Sequence, residues 1–381
     1  MSALSSRTAI AERLQAQLLA GKPARDPLGV TRRLLAVQGQ DPRGVRLAIR
    51  ARSSGLSAAD VDRALTDDRS LLITWLNRGT LHLVCSEDYA WLHALTTPPL
   101  ITGNARRLAQ EGVTPNVAER GVRAIERALA ADGPLTRAQL RERIAAAKVR
   151  TEGQALVHLL MLATLRGLTV RGPMVGSEQA YALVADWLGG QAKVERGRAL
   201  AELARRYLAG HAPAEDRDLA RWSGLPLRDA RAGLHAIAGE LRERPDGLVE
   251  LKRRRRADAE PAPPRLLGAF DPLLLGWCSR EEIVGANRSL VTVNGLFRPF
   301  ALVRARAVAR WRLAAGKIEL EPFERLTRAD ATALEAEAAD VLRYLSLSPG
   351  ARSSRAPRSL PASGSSPATR SPRTSANVKP S

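Results

Sequence analysis

The sequence contains very little cysteine. Cys85 and Cys278 are the two cysteines among 381 residues, which is too few for a disulfide framework or for a zinc site built on cysteine. A chain that relies on neither device fits a reducing compartment. We therefore predict a cytoplasmic protein.

Metal-binding and membrane patterns are missing as well. The five histidines show no close His-x-x-His or His-Glu-x-x-His spacing, so we predict neither a metal nor another cofactor. The first 18 residues lack the charged and then apolar pattern of an export signal. No window of about twenty residues is uninterruptedly apolar, so the sequence predicts no membrane span.

Acidic residues are clearly outnumbered. Lys and Arg together number 59 against 39 Asp and Glu, which gives a formal net charge of +20. An excess of this size predicts a polyanionic partner. Arginine supplies nearly all of it, and its planar guanidinium can hold a phosphate or a guanine through two hydrogen bonds at once. Genomic composition bias explains the preference for Arg over Lys but not the sign of the net charge.

Two composition changes divide the chain. After about Ser348 the sequence consists largely of Ser, Pro, Ala and Arg, without an acidic residue after position 350, which predicts a disordered basic tail at 348–381. The second change is a cluster of prolines at 261, 263 and 264. Because proline interrupts helices, we place a linker at 257–264.

The pattern before the linker predicts a repeated architecture. Two helices followed by a short pair of strands occur three times, which indicates tandem winged-helix units at 1–110, 111–190 and 191–256. The segment 265–347 is rich in strands and ends in a helix that we predict at 328–345. The predicted fold is therefore mainly α with β wings (α+β), with three winged-helix units and a small C-terminal β-rich domain.

The hairpin predicted in the first unit carries polar residues on an apolar strand. Its strands lie at 72–76 and 80–84, joined by a turn at 77–79, and the strand 80–84 is apolar apart from Thr80 and His82. Neighbours along a strand point to opposite faces, and both neighbours of His82 are leucines. We therefore expect the ring of His82 to be exposed.

The third unit contains the clearest helix-turn-helix pattern. Helices predicted at 215–222 and 227–239 flank a Ser-Gly-Leu-Pro turn. A short strand at 248–251 then runs into Lys252, Arg253, Arg254, Arg255 and Arg256. We predict that these four arginines clamp a phosphate backbone, and the alternative is the solvated end of a linker.

Four stretches of the sequence carry a resemblance to a known family. They are 33–42, with Gln38-Gly39-Gln40; 78–84, with Arg78-Gly79-Thr80-Leu81-His82; 270–276, with Phe270-Asp271-Pro272; and 294–311. In this order they resemble bacterial winged-helix DNA-binding proteins that include the AlkZ and YcaQ (AlkX) DNA glycosylases. The resemblance covers roughly residues 5–345. It implies a C-shaped set of three winged-helix units with a C-terminal β-rich domain, enclosing a channel for double-stranded DNA.

The resemblance also implies site residues. Glycosylases of that family carry a Gln-x-Gln or Gln-x-Asp motif at the site of chemistry, so Gln38 and Gln40 are the expected catalytic pair. Gly39 stands where a different residue is expected, and we anticipate a looser backbone there. Arg78, Thr80 and His82 would contact the minor groove. Without the resemblance, the two glutamines are ordinary polar residues at a helix end.

A second residue of the resembling stretches has a simpler interpretation. Asp271 precedes Pro272, and an Asp-Pro pair is typical of a turn. We therefore expect Asp271 to form a turn rather than to act as a catalytic acid.

Two side-chain amides suit one class of substrate. Alkylation at N7 of guanine or N3 of adenine makes the base cationic, so its N-glycosidic bond is already polarised toward cleavage and needs no strong acid. Amides can then hold a water near the anomeric carbon. We predict a monofunctional DNA glycosylase that removes such cationic N-alkylated purines.

Two other functions fit the same features. A winged-helix transcription regulator would use the basic surface to read an operator, usually as a dimer. A non-enzymatic DNA-binding protein would owe most of its affinity to the arginine-rich tail. The sequence shows no long heptad run, so we expect a monomer.

Overall fold

The computed structural model describes residues 3–176, 178–191, 194–253, 261–292 and 294–346. It shows helices combined with antiparallel sheets, as the sequence predicted. Within those ranges, no helix is both long enough and apolar enough to cross a bilayer. The predicted tail at 348–381 lies outside the described residues, and so do the predicted clamp residues Arg254, Arg255 and Arg256.

Helices form most of the chain before the linker. In chain order they are α1 (Ala3–Ala16), α2 (Pro27–Leu34), α3 (Pro42–Arg50), α4 (Ala58–Thr66), α5 (Tyr89–Thr96), α6 (Pro98–Gln110), α7 (Pro115–Asp132), α8 (Arg137–Ala146), α9 (Ala155–Leu165), α10 (Val184–Leu188), α11 (Arg196–His211), α12 (Asp216–Ser223) and α13 (Leu227–Ala236). After the linker come α14 (Glu281–Val284) and α15 (Arg328–Tyr344).

The strands form three antiparallel sheets. They are β1 (Val37–Gln38), β2 (Leu71–Leu76), β3 (Thr80–Cys85), β4 (Thr169–Val175), β5 (Glu178–Leu183), β6 (Leu241–Glu243), β7 (Val249–Leu251), β8 (Arg265–Leu267), β9 (Phe300–Val303), β10 (Arg306–Ala314) and β11 (Lys317–Pro322). The strand orders are β1-β3-β2-β4-β5, β6-β7 and β11-β10-β9-β8.

The first two predicted wings belong to one sheet. The hairpin β2–β3 and the hairpin β4–β5 meet where Ile73 pairs with Arg171, so the two units share a continuous five-stranded sheet. The short strand β1 adds to the other edge by pairing with β3. The hairpin β2–β3 matches its predicted position within one residue at each end, but the sequence pattern did not indicate that the two hairpins join.

The C-terminal sheet differs from the prediction at its start. The segment 265–347 was predicted to be rich in strands, but within the described part of 288–297 a short 3-10 turn at Arg288–Leu290 is followed by a single bridge between Val291 and Phe297. The hydroxyl of Thr292 accepts a hydrogen bond from the backbone of Leu296 at 3.0 Å, which closes a tight turn instead of extending a strand. The edge position next to β9 is taken by β8.

An aromatic cluster joins the third unit to the C-terminal domain. His211, the last residue of α11, stacks on Tyr207 at 4.6 Å between ring centres and lies 5.4 Å from Trp222 and 5.7 Å from Trp277. The hydroxyl of Tyr207 donates to the carbonyl of Gly276 at 2.7 Å, and the indole of Trp277 donates to the carbonyl of His211 at 2.9 Å. These contacts place the two parts of the chain in one core.

A buried ion pair connects the first unit to the same domain. Arg52 and Asp271 are both fully buried and form two hydrogen bonds of 2.7 and 2.9 Å. Asp271 also accepts from the backbone of Leu273, and it caps the short 3-10 helix Pro272–Leu274. This confirms the expected turn at Asp271. The carboxylate of Asp271 forms an ion pair and caps a helix.

Close backbone contact fixes the helix that follows the glutamine motif. A Cβ added at Gly44 of α3 would lie 2.3 Å from the carbonyl oxygen of Ala269, and one added at Gly268 would lie 3.0 Å from the Cα of Gly44. Two glycines therefore allow α3 to lie directly on the segment after β8. The C-terminal domain thereby holds the start of α3 in place.

Candidate active site

The glutamine motif lies in a short connection between two helices. After α2 ends, Leu35 takes a positive φ of 65°, and the chain runs through β1 before Asp41 caps α3. The carboxylate of Asp41 accepts hydrogen bonds from the backbone of Arg43 and Gly44, both at 2.8 Å. This cap uses the carboxylate nearest in sequence to the two glutamines.

The two predicted catalytic glutamines are in contact. The side-chain amide of Gln38 donates to Oε1 of Gln40. Residues two apart on an extended segment point to the same face, and here the inner side chain, Gln38, is only 6% exposed while Gln40 is exposed. The structure thus presents one buried and one solvent-facing amide side by side.

The backbone at Gly39 is held firmly, contrary to the looser segment expected from its missing side chain. Its N–H donates to the carbonyl of Leu81 at 2.7 Å, which extends the pairing of β1 with β3. A Cβ at this position would make ordinary contacts of 3.6 Å with Ile73 and Leu81. The sheet, rather than the side chain at position 39, determines the spacing of the two glutamines.

His82 lies directly beside Gln38. In the sheet, His82 is opposite Gln38 on one side and opposite Thr74 on the other. Its side chain is only 3% exposed, so the expected exposure is wrong. The strand alternates as predicted, but both faces of the sheet are covered: Leu83 belongs to the core of the first unit and Val84 to the large shared core.

The protonation state of His82 is fixed by one hydrogen bond and by burial. Nδ1 lies 2.9 Å from the carbonyl oxygen of Thr80. A carbonyl can only accept, so Nδ1 carries the hydrogen and Nε2 keeps a lone pair. Burial, assisted by the nearby charge of Arg78, lowers the pKa of His82 to about 3. The ring is therefore neutral at physiological pH.

Several polar atoms around His82 lack partners. Oε1 of Gln38 and the hydroxyl oxygens of Thr74 and Thr80 are buried without a hydrogen-bond partner among the described residues. Leaving a buried polar atom unpaired costs about 1–3 kcal/mol. Three such atoms on one face of a sheet mark a place where a water molecule or a ligand can bind.

Arg78, at the tip of the hairpin β2–β3, contacts the third unit. Its guanidinium donates to the carbonyls of Arg221 and Trp222 at the end of α12. The two parts approach closely, since a Cβ at Gly224 would lie 3.1 Å from the backbone of Asn77. The residue predicted to contact DNA is thus also a link between the hairpin and the helix-turn-helix.

Two further arginines lie near Arg78, and the sequence analysis missed both. Burial together with the charges of Arg221 and Arg280 lowers the pKa of Arg78, and burial with Arg221 lowers that of Arg280. Within the described ranges, no carboxylate forms an ion pair with any of the three. Arg221 could have been noted from its place before the helix-turn-helix turn, whereas nothing local distinguishes Arg280.

Arg253 lies elsewhere on the surface. It is exposed and borders an open groove of about 620 Å³ that Lys22 and Arg33 also line. The ammonium of Lys252 donates to the carbonyl of Gly239 at 2.8 Å, which holds the start of the cationic run against the third unit. Of the four predicted clamp arginines, Arg253 alone falls within the described residues.

Two groups of side chains bring possible metal ligands close together. In both, the central carboxylate has other partners: Asp88 pairs with Arg206 at 2.9 Å, and Asp218 accepts from the backbone of Cys278 at 2.8 Å. Burial also raises the pKa of the Cys85 thiol to about 12, so it stays protonated and binds metal poorly. We assign no metal to either group: Cys85, Glu87 and Asp88; Glu215, Asp218 and Cys278.

Comparison with known proteins agrees with the fold. Residues 31–344 match the family described as DNA glycosylase AlkZ-like. The chain is 29% identical over 362 residues to the interstrand DNA cross-link repair glycosylase of Streptomyces sahachiroi, covering 89% of this chain and 96% of the relative. The solved structure of Streptomyces sahachiroi DNA glycosylase AlkZ aligns with a TM-score of 0.74 and 26% identity, covering 90% of this chain and 97% of that one.

These matches define the class as DNA glycosylases, which are DNA-binding proteins. More narrowly, the chain belongs to the AlkZ-like family of DNA glycosylases. The resemblance drawn from the sequence motifs is thereby confirmed.

Proposed function

We propose that this protein is a monofunctional glycosylase that hydrolyses the N-glycosidic bond of cationic, N-alkylated purines in double-stranded DNA. The observation that carries the proposal is the contact between Gln38 and Gln40 next to a carboxylate, Asp41, that is already used as a helix cap. The site that the described residues form has two amides that can position water, and the carboxylate nearest to them in sequence caps a helix through its Oδ1. It therefore requires a base that is already charged.

The reaction follows from this arrangement. The oxygen of a water molecule forms a bond to C1′ of the sugar while the bond from C1′ to the base nitrogen breaks. The bonding electron pair goes to the base and neutralises its positive charge, and the proton lost by the water passes to solvent. The amides of Gln38 and Gln40 contribute by holding the water in line with the breaking bond.

The distribution of arginine supports binding of the DNA backbone. Arg78, Arg221 and Arg280 form a positive region without paired carboxylates among the described residues, and uncompensated arginines suit phosphate. We include the predicted clamp at Arg253, Arg254, Arg255 and Arg256 in the proposed contact surface. The enclosed position of Thr80 and His82 favours a role beside Gln38 over a groove contact.

We extend the proposal to interstrand cross-links and to a monomer. The curated relative is named for cross-link repair, and a purine joined to the opposite strand through an alkylated ring nitrogen carries the same positive charge. A monomer is supported by the absence of a long heptad run in the sequence, and sedimentation of the purified protein would test it.

A base-release assay tests the proposed activity. The purified protein is incubated with duplexes containing N7-methylguanine or N3-methyladenine, and with an unmodified duplex. We expect release of the alkylated bases alone. Gln38→Ala and Gln40→Ala should each slow release by about tenfold or more while duplex affinity is retained, since the amides position water.

Gln110→Ala provides the matched control. Gln110 is an exposed glutamine at the end of α6, and its substitution should leave the rate unchanged. Failure of the wild-type protein to release either alkylated base would contradict the proposal. A tight footprint on one DNA sequence would instead favour the transcription regulator.

A further inference from the structure

One face of the five-stranded sheet carries a row of polar side chains across three strands. Residues directly opposite each other on antiparallel strands point to the same face, so Gln38 of β1, His82 of β3 and Thr74 of β2 form this row. The N–H of Gly39 donates to the carbonyl of Leu81. In an antiparallel ladder, residue pairs that share backbone hydrogen bonds alternate with pairs that do not. Gly39 and Leu81 form a hydrogen-bonded pair, so the neighbouring Gln38 and His82 form a pair without backbone hydrogen bonds, in which the side chains lie closer together.

The row faces the center of the molecule. Leu72 and Leu76, which alternate with Ile73 and Trp75 along β2, belong to the hydrophobic core shared with the third unit and the C-terminal domain. Thr74 is two positions from each of these leucines along β2, so its side chain lies on the same face of the sheet as theirs. The row therefore points toward that side. A histidine and two unpartnered oxygens, Oε1 of Gln38 and the hydroxyl of Thr74, are unfavourable there unless something binds to them.

The hydrogen bonding of the imidazole leaves one ring nitrogen, Nε2, that can accept a hydrogen bond. Nδ1 donates to the carbonyl of Thr80, and Nε2 has no hydrogen-bond partner among the described residues. The ring can therefore accept one hydrogen bond through Nε2 and cannot donate from that atom. The neighbouring Oε1 of Gln38 is likewise an acceptor without a partner in the described structure.

We propose that His82 is a water-positioning residue, which acts together with Gln38 by accepting a hydrogen bond from the attacking water at Nε2. This inference rests on the proposed glycosylase function and adds a third group to the glutamine pair. A water that donates one hydrogen to Nε2 and the other to Oε1 of Gln38 has both hydrogens directed into the protein. Its oxygen lone pairs then remain available for the bond to C1′.

The proton balance of this step is simple. As the water oxygen bonds to C1′ and the base departs with the bonding electrons, the oxygen becomes acidic and releases a proton. Nε2 can take that proton transiently and pass it to solvent. Burial and the neighbouring Arg78 then favour return of the ring to its neutral form.

Two substitutions separate the positioning role from a structural one. In His82→Asn, the side-chain amide can still donate to the Thr80 carbonyl in place of Nδ1, but the acceptor at the Nε2 position is lost. In His82→Gln, an amide oxygen reaches the Nε2 position, while the bond to Thr80 is lost. We expect His82→Asn to lower kcat about tenfold or more with duplex affinity unchanged, and His82→Gln to restore most of the rate.

The opposite pattern would overturn the proposal. If His82 only supports the hairpin, His82→Asn should release base at the wild-type rate, and His82→Gln should lower the unfolding temperature and the rate together. Equal losses of rate in both variants, each matched by a loss of thermal stability, would also exclude a positioning role.

A spectroscopic measurement separates this inference from the proposed function. With ¹⁵N-labelled histidine in the full-length protein, the ring of His82 should show the neutral form with hydrogen on Nδ1 at pH 6. Adding a duplex that contains a cationic pyrrolidine abasic analogue should shift the Nε2 resonance. If wild-type protein releases no base, the proposed function fails and this inference fails with it, whereas base release together with an unmoved Nε2 resonance contradicts this inference alone. A charged ring, the opposite tautomer or an unmoved Nε2 resonance would overturn it.

Discussion

At the scale of single residues, the site is determined by which polar groups lack partners. Gln38 and His82 are 44 positions apart in the sequence, yet they lie opposite each other in the sheet. Sequence motifs indicated each residue separately. Their contact depends on the pairing of a two-residue strand with a distant hairpin, and no local pattern encodes that pairing. This is also why the strand alternation identified the face of His82 correctly but not its burial.

Arg78 and Arg221 are close together but have different surroundings, and we expect their substitutions to differ. Arg78 donates to two carbonyls at the end of α12, and hydrogen bonds from charged groups contribute about 1.5–3 kcal/mol. Arg78→Ala should therefore lower both the unfolding temperature and duplex affinity. Arg221 is exposed, so Arg221→Ala should leave the unfolding temperature unchanged and reduce the salt dependence of DNA binding by about one phosphate contact.

Thermal unfolding and fluorescence anisotropy at several salt concentrations measure both effects. Wild-type affinity in Arg221→Ala would argue against a phosphate contact in this region. Wild-type unfolding temperature in Arg78→Ala would argue against a stabilising link between the hairpin and α12.

At the scale of secondary structure elements, the position of α3 connects the site to the rest of the fold. Gly44→Ala would place a Cβ 2.3 Å from the carbonyl oxygen of Ala269, and overpacking of this kind costs about 1–3 kcal/mol. Because α3 begins at Pro42, two residues after Gln40, we expect the displacement to reduce base release as well as the free energy of unfolding. Denaturant unfolding and the release assay measure the two quantities.

The control for this variant is Gly103→Ala. Gly103 lies in α6 with open space around the added Cβ, so the substitution should stabilise the helix by about 0.5–1 kcal/mol. If Gly44→Ala behaves in the same way as this control, close packing of α3 against the C-terminal domain is not required.

Elements with local start and stop patterns were predictable, and those that depend on distant pairing were not. Helix α15 begins after Thr327, whose hydroxyl accepts a hydrogen bond from the backbone of Asp330 at 3.1 Å, and it was predicted within a residue at each end. In contrast, β1 and β8 are two and three residues long. Such short strands exist only because of their partners, so their sequences contain too little periodicity to detect.

At the scale of the whole molecule, buried histidines make stability depend on pH. Burial lowers the pKa of both His82 and His211 from 6.5 to about 3, with Arg52 and Arg13 adding to the effect at His211. In the unfolded chain these rings gain protons below pH 6.5, whereas the folded protein resists protonation. The contribution of the two neutral rings to the free energy of unfolding is therefore complete above pH 6.5 and is lost as the pH falls toward 3.

We expect the unfolding temperature to be lower at pH 4.5 than at pH 7.5. Since carboxylates with lowered pKa act in the same direction, the contribution of histidine is isolated by His211→Phe, which keeps the stacking on Tyr207 but cannot titrate. The variant should show a smaller difference between the two pH values. An identical difference in variant and wild type would mean that His211 does not resist protonation in the folded state.

The pair formed by Arg52 and Asp271 has a consequence for biosynthesis. The two residues are 219 positions apart. A ribosome that adds about 5–20 residues per second therefore needs roughly 10–45 seconds to synthesise the chain from Arg52 to Asp271. Until then the guanidinium must remain hydrated, because enclosing it alone costs several kcal/mol. The nascent N-terminal region therefore cannot enclose Arg52 as in the finished fold until Asp271 has been synthesised.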